Sequence, residues 1–356
     1  MPLQRIAVLG LGKVGTLAAK LLHAGGFEVT GFDTRKPHET LPFAIQSADV
    51  GSDSGMRSAT EGFDAVLSCL PYRVNKRIAT AAHDHGIHYF DLTEDVPTTE
   101  AIRVLSTTSR GLMAPQCGLA PGFVGIVGAA QVAAFEECRS LRLRVGALPQ
   151  HPTGLMGYAF NWSPEGVVNE YLNDCEVIED GVRKTVSSME WQETLYVEGV
   201  KLEAFTTSGG LGTICETYHG KVPNIDYKTM RYPGHMRLMN FFFHELLMRE
   251  RRDLAGEILT NAKPPVNDDI VYVHVSSEGM LDARLQRREF VRAYRPVELA
   301  GGMQTAIAWT TSASVVAIIE MVRDGALPQQ GFLKQEAVPL DKFLTTQTGR
   351  LFGRAA

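Results

Sequence analysis

The chain has 356 residues, of which 44% are hydrophobic and 21% charged, with 35 Lys+Arg against 40 Asp+Glu. At about 150 residues per domain this is enough for two domains, and so large an apolar share excludes disorder as the main state. A formal net charge of −5 argues against the basic face that nucleic acid needs, and the most apolar windows, such as 307–319, fall short of the roughly 20 residues a bilayer needs.

Residues 5–10, an apolar run ending in glycine, predict a buried parallel strand. Gly10-Leu11-Gly12-Lys13-Val14-Gly15 follows, then a helix over 16–23 and a strand over 28–32 that ends at Asp33. Strand, G-x-G-x-x-G, helix, strand and acid together are the dinucleotide-binding pattern. Gly10 allows the tight turn, Gly12 lets a pyrophosphate approach the backbone, and Gly15 lets helix and strand pack. Asp33 suits the ribose hydroxyls of NAD, whereas Arg35 could pair with the 2′-phosphate of NADP. NAD is the expected cofactor and NADP the less favoured one. Lys13, Val14 and Thr34 complete this group of candidate contacts.

Strands are then expected at 63–70, 87–92 and 111–115, with helices over 74–85 and 97–109. This alternation implies a parallel sheet with ligands at the strands' carboxyl ends. Ser68, Leu70, Pro71, Asn75, Leu92 and Thr93 lie at those ends and are further candidate cofactor contacts. Asp91 and Glu94, with Asp95 in reserve, are the candidate proton acceptors, and Tyr72 and Gly122 are candidate substrate contacts.

Near residue 140 the pattern becomes the strict alternation of a half-exposed strand. Turns at 179–181 and 198–199, and strands at 268–275 and 287–294, predict a mostly antiparallel sheet in an α+β domain. Helices are expected from Ser163-Pro164 and over 234–250. A long apolar helix from about 301 to 324 suits a return to the first domain. The expected fold is thus α/β: a doubly wound Rossmann sheet (1–122), an inserted α+β domain (123–300) and a helical return (301–356).

In the inserted region, Trp162 and Ser163 stand at a helix start, Thr207 in a glycine-rich loop, and Arg231 and His235 at another helix start. Arginine beside helix N–H groups makes a natural carboxylate clamp. Arg231, with Ser163, Thr207 and Trp162, is the candidate substrate site, and His235 a candidate acid/base. His83, His85 and His88 are read as solvated or structural, and Phe241-Phe242-Phe243 as a core or subunit contact. The five cysteines, 69, 117, 138, 175 and 215, lack any Cys-x-x-Cys pair. They suit reduced thiols in a cytoplasmic protein and give no zinc spacing, so no metal is expected. The N-terminal residues run straight into the first strand, unlike a secretory signal.

Gly118-Leu119-Ala120-Pro121-Gly122, Asn161-Trp162-Ser163-Pro164-Glu165-Gly166, Ser208-Gly209-Gly210-Leu211 and Thr229-Met230-Arg231-Tyr232-Pro233-Gly234-His235 resemble the saccharopine dehydrogenase superfamily. Within it the chain is most similar to the L-lysine 6-dehydrogenase branch. The resemblance covers nearly the whole chain. It implies NAD-dependent oxidative deamination of the lysine side-chain amine, giving a 6-semialdehyde that cyclises to piperideine-6-carboxylate. Ala120 stands where saccharopine reductases usually carry aspartate, which favours a smaller amino acid than saccharopine. The competing readings are an NADP-dependent reductase that condenses an amine with an aldehyde or keto acid, and a non-catalytic NAD-binding sensor. A homodimer or homotetramer is expected, with an amino acid as the small-molecule partner and neither nucleic acid nor membrane.

Overall fold

A computed structural model describes residues 3–35 and 39–354. The chain divides into two compact units. One comprises described residues up to 126, with 300–302 and 308–354; the other comprises 127–299 and 303–307.

The first unit is a seven-stranded, all-parallel sheet. Its elements run β1 (Arg5–Leu9), α1 (Lys13–Ala24), β2 (Glu28–Asp33), β3 (Ala44–Ser47), α2 (Asp53–Thr60), β4 (Ala65–Ser68), α3 (Tyr72–His85), β5 (His88–Asp91), α4 (Val96–Ser106) and β6 (Leu112–Ala114). A late strand, Gly331–Phe332, joins the edge beside β6, giving the order late strand-β6-β5-β4-β1-β2-β3. Helix α1 starts at Lys13, three residues before the predicted start, because the second half of the glycine motif is already its first turn. The short edge strand β3 is exposed along its whole length and carries no alternation by which the sequence could announce it. Ala7, Leu9, Val66, Ile78, Tyr89, Ile102 and Met113 form part of one core cluster. Burying each large apolar side chain among them is worth about 2 kcal/mol.

The chain passes through α5 (Phe123–Val132) into β7 (Glu137–Pro149) of the second unit. There follow α6 (Pro164–Leu172), β8 (Cys175–Glu179), β9 (Val182–Val186), β10 (Glu193–Val197), β11 (Val200–Thr206), α7 (Ile214–Tyr218), β12 (Asn224–Arg231), α8 (His235–Asn240), α9 (Arg252–Ala262), β13 (Asp269–Leu281) and β14 (Arg284–Tyr294). The main sheet has the order β10-β11-β12-β7-β13-β14, with β8 and β9 off that path. Only β12 and β7 pair in parallel there, so the sheet is mixed and mostly antiparallel.

The single helix expected over 234–250 is broken. After α8 the backbone makes a π-turn over Phe241–Glu245, and Leu247 adopts a left-handed φ of +55°. Phe243 is buried in the core, while Phe241 is exposed. A two-stranded hairpin, β15 (Val297–Leu299) and β16 (Gly302–Gln304), precedes α10 (Ala306–Arg323). Asp269 accepts the N–H groups of Ala306 and Ile307 at 2.6 and 3.0 Å, a negative charge at a helix N-terminus. By length and composition α10 could cross a membrane, but most of it is buried inside the protein. The late strand is numbered β17.

Candidate functional site

The glycine turn between β1 and α1 divides its work among three positions. Gly10 has φ +88°. A Cβ on Gly15 would lie 1.8 Å from the carbonyl oxygen of Gly10, so only glycine lets helix and strand pack this closely. A Cβ on Gly12 would meet nothing within 4 Å. That space opens at the N-terminus of α1, where Gly12 is the cap and no side chain bonds to the helix. Open space beside uncapped N–H groups at the positive end of a helix fits a pyrophosphate.

Asp33 closes β2 beside this turn. Its Oδ2 accepts Leu11 N–H at 2.7 Å and its Oδ1 accepts Arg35 N–H at 2.9 Å. Each oxygen retains a second lone pair for a ribose hydroxyl. Lys13, Thr34 and Arg35 are exposed and Val14 is half-buried.

On the other side of β1, a buried knot ties three strand ends together. Ser68 Oγ donates to Asn75 Oδ1 at 2.7 Å, and Asn75 Nδ2 donates to Asp91 Oδ2 at 3.2 Å. Tyr89 Oη donates to the same oxygen at 2.7 Å. Oδ1 accepts Thr93 N–H and Gln116 N–H, each at 3.0 Å. Burial pushes the Asp91 carboxyl up to about 6, against the pull of these donors. Four donors occupy its four lone-pair positions. Asp91 is therefore a structural tie, and the expectation that it is the general base is corrected. Asp95 is also occupied: Oδ2 accepts Thr98 N–H and Oγ1–H at 2.9 and 2.6 Å and caps α4.

Glu94 and Leu92 are half-buried in the same loop, and Thr93 is buried, with its Oγ1 accepting Asp95 N–H at 3.1 Å. Leu70 walls the glycine turn, 2.8 Å from where a Gly10 Cβ would sit. Pro71 is exposed and leads into α3, whose first residue, Tyr72, is half-buried. Gly122 is buried against its own loop, with a Cβ position 1.9 Å from Gly118 O. At this position only glycine lets the loop close.

The second unit holds a buried cluster around Arg231. Its Nε donates to Tyr171 Oη at 2.7 Å and its Nη1 to Met230 O at 2.9 Å. The guanidinium carbon lies 4.7 Å from the Tyr158 ring centroid and 5.6 Å from that of Tyr171. Nη2 is 3.9 Å from Glu170 Oε2, and the Arg231 side chain is 2% exposed. The arginine expected to clamp a carboxylate is thus a buried guanidinium held between aromatic rings. His235 Nδ1 lies 3.0 Å from Met156 O, so that nitrogen is the donor. Nε2 then accepts Tyr171 O–H at 3.0 Å, and the donor chain runs from Arg231 through Tyr171 to His235. Burial, reinforced by the Arg231 charge, pulls the imidazole down to about 3. A neutral ring with both nitrogens engaged is no acid/base at neutral pH, which corrects that role. Ser163 Oγ accepts Gly166 N–H at 3.0 Å and caps α6. Trp162 packs against the core. Thr207 is buried, and its hydroxyl has no partner among the described residues.

Sequence reasoning missed several charged residues. Glu203 is buried on β11, where alternation alone does not mark an acid as interior. Arg144, in the alternating run read as polar-outward, is buried between Glu193 and Asp226, and Lys228 Nζ is 3.1 Å from Glu193. Glu170 and Tyr171 lie on α6 and looked like ordinary helix residues.

The saccharopine dehydrogenase NADP binding domain model matches residues 6–112, and the saccharopine dehydrogenase C-terminal domain model matches 118–351. The chain belongs to the saccharopine dehydrogenase family. Saccharopine dehydrogenase [NADP(+), L-glutamate-forming] of Schizosaccharomyces pombe is 21% identical over 152 residues, covering 41% of this chain and 34% of that protein. The match thus spans about a third of the relative's length. Apo saccharopine dehydrogenase (L-Glu forming) from Saccharomyces cerevisiae has a similar structure, with a TM-score of 0.76, 16% identity and 98% coverage of both chains. An engineered D-amino acid dehydrogenase bound to NADP+ (0.52, 14%, 99% of both chains) and the DAP dehydrogenase of C. glutamicum in complex with DAP (0.53, 13%, 100% of both) share the fold more distantly. This family member therefore has the family's N-terminal dinucleotide-binding domain and its C-terminal domain.

Proposed function

We propose that the protein is a nicotinamide-dependent oxidoreductase acting on the amine carbon of an amino acid. The observation that carries this reading is the βα turn, with open space at Gly12, close packing at Gly15 and Asp33 beside it. Family membership supports the same chemistry. In the finer reading the substrate is L-lysine and the cofactor NAD. Lysine, NAD+ and water give the 6-semialdehyde, ammonium, NADH and a proton. The semialdehyde then cyclises to piperideine-6-carboxylate with loss of water. Ala120, in place of the aspartate of saccharopine reductases, supports the smaller substrate.

The bound nicotinamide supplies the hydride acceptor. The chain's own residues hold the amine carbon in register and take up the proton as water adds to the imine. Glu94, half-buried in the loop after β5, is the proposed acceptor.

One observation favours the second reading, an NADP-dependent reductase that joins an amine to an aldehyde or keto acid: the matching N-terminal model is an NADP binding domain. A panel of amines with NAD+ and with NADP+, read as absorbance of the reduced cofactor, tests both. Reduction of NAD+ by lysine supports the first reading. NADPH consumption with an aldehyde plus an amino acid, and no reaction with lysine, would overturn it in favour of the second. Cofactor binding without turnover on either panel would leave the sensor reading.

A further inference from the structure

Nine described non-glycine residues have φ in the left-handed region. Asp180, Glu198, Asp282, Ala283 and Ala300 lie in two-residue turns between paired strands, where such angles are ordinary. Gln116 is different. It follows β6 at the carboxyl end of the parallel sheet, has φ +64° and is 4% exposed. A long side chain held at such an angle persists only where its surroundings over-determine it, and such residues cluster at ligand sites.

Those surroundings are visible. Gln116 N–H bonds to Asp91 Oδ1 at 3.0 Å, and Cys117 N–H bonds to Asp91 O at 2.9 Å. From the other side, Gln335 Nε2 donates to Pro115 O at 3.0 Å and to Cys117 Sγ at 3.3 Å. The backbone on both sides of Gln116 is thus fixed, while its own carboxamide bonds to no described residue. Its amide atoms are not sealed from solvent, so a ligand with a matching donor and acceptor can reach them.

We propose that Gln116 binds the carboxamide of the nicotinamide ring. This rests on the dinucleotide reading above. With pyrophosphate at the β1 turn and the adenosine ribose at Asp33 on β2, the nicotinamide half extends over β4 and β5. The bonds to Asp91 draw Gln116 back over the end of β5, two strand spacings or about 10 Å from β1. An uncharged group that both donates and accepts matches another carboxamide, whereas a substrate carboxylate or ammonium calls for a charged partner.

The test is calorimetric titration of the full chain with NADH, NADPH and ADP-ribose, which lacks the nicotinamide. Gln116→Gly removes the carboxamide and relieves the left-handed angle, so the fold is retained. It is expected to weaken the better-bound reduced cofactor about five- to tenfold, the loss of a neutral hydrogen bond, and to leave ADP-ribose unchanged. Gln116→Asn, which withdraws the amide by one carbon, should show the same selective loss. Wild type should prefer NAD+ over 3-acetylpyridine adenine dinucleotide, whose ketone has no N–H, and Gln116→Gly should bind the two alike. Unchanged NADH and NADPH affinity, or an equal loss for ADP-ribose, overturns the proposal and leaves the dinucleotide reading standing. A wild-type chain that binds none of the nucleotides overturns both.

Discussion

Glu203 and Arg231 face each other in the antiparallel pairing of β11 with β12, yet their charges do not bond to one another. Glu203 spends its carboxylate on the start of α8, accepting Gly234 N–H at 2.8 Å and Met236 N–H at 2.7 Å, and it also accepts Gln192 Nε2 at 2.9 Å. Arg231 turns instead to Tyr171. Each member of an apparent ion pair thereby orients a different element: the acid fixes the first turn of α8, and the base fixes the hydroxyl that holds His235 on that same turn.

Glu203→Ala should therefore destabilise the protein by about 2 kcal/mol, as loss of a buried helix cap does. Glu203→Gln, which keeps an acceptor oxygen, should lose less. Denaturant midpoints check this. An Ala variant as stable as wild type would show that the cap contributes nothing.

The two inner glycines should respond differently to alanine. Gly15→Ala forces a Cβ toward Gly10 O and should lower the melting temperature by several degrees. Gly12→Ala has room in the free protein and should fold normally but lose cofactor affinity, because its methyl fills the phosphate space. Thermal melts with and without NADH or NADPH separate the two effects.

Asp91 and His235 should give stability profiles of opposite sign. The folded carboxyl of Asp91 sits near 6, above its ordinary 3.8, so the fold favours the protonated form. Its contribution is greatest at low pH and declines by at most about 3 kcal/mol as pH rises from 4 to 6. The imidazole of His235 sits near 3, below its ordinary 6.5, so only the unfolded chain gains a proton there as pH falls. Its contribution is lost as pH drops below 6.5. Relative to wild type, Asp91→Asn should gain stability as pH rises through 4–6, and His235→Asn should gain as pH falls through 6.5–4. Denaturation at several pH values gives both slopes, and slopes of the same sign would show that one of the two groups is not buried as described.

Asp33→Ala should weaken NAD at least tenfold while changing NADP far less, since the carboxylate accepts a 2′-hydroxyl but repels a 2′-phosphate. Arg35→Ala should do the reverse if that side chain serves the phosphate. Equal losses for the two cofactors in the Asp33 variant would remove the basis for preferring NAD.

Amino-acid order alone determined the parallel sheet, the glycine turn with its acid, the tight hairpin turns and the capped start of α6. Each is specified by a short-range rule: a run of apolar residues for a strand buried on both faces, glycine where no Cβ fits, serine where a helix needs an acceptor. The same order pointed to Asp91, Arg231 and His235 as chemically important but could not say how their polar atoms are used. That was decided by partners distant in the chain, such as Gln116 for Asp91 and Tyr171 for Arg231 and His235. Whether a carboxylate is a base or a tie depends on how many of its lone pairs are already taken. Only the folded chain sets that number, because the donors arrive from other strands and helices.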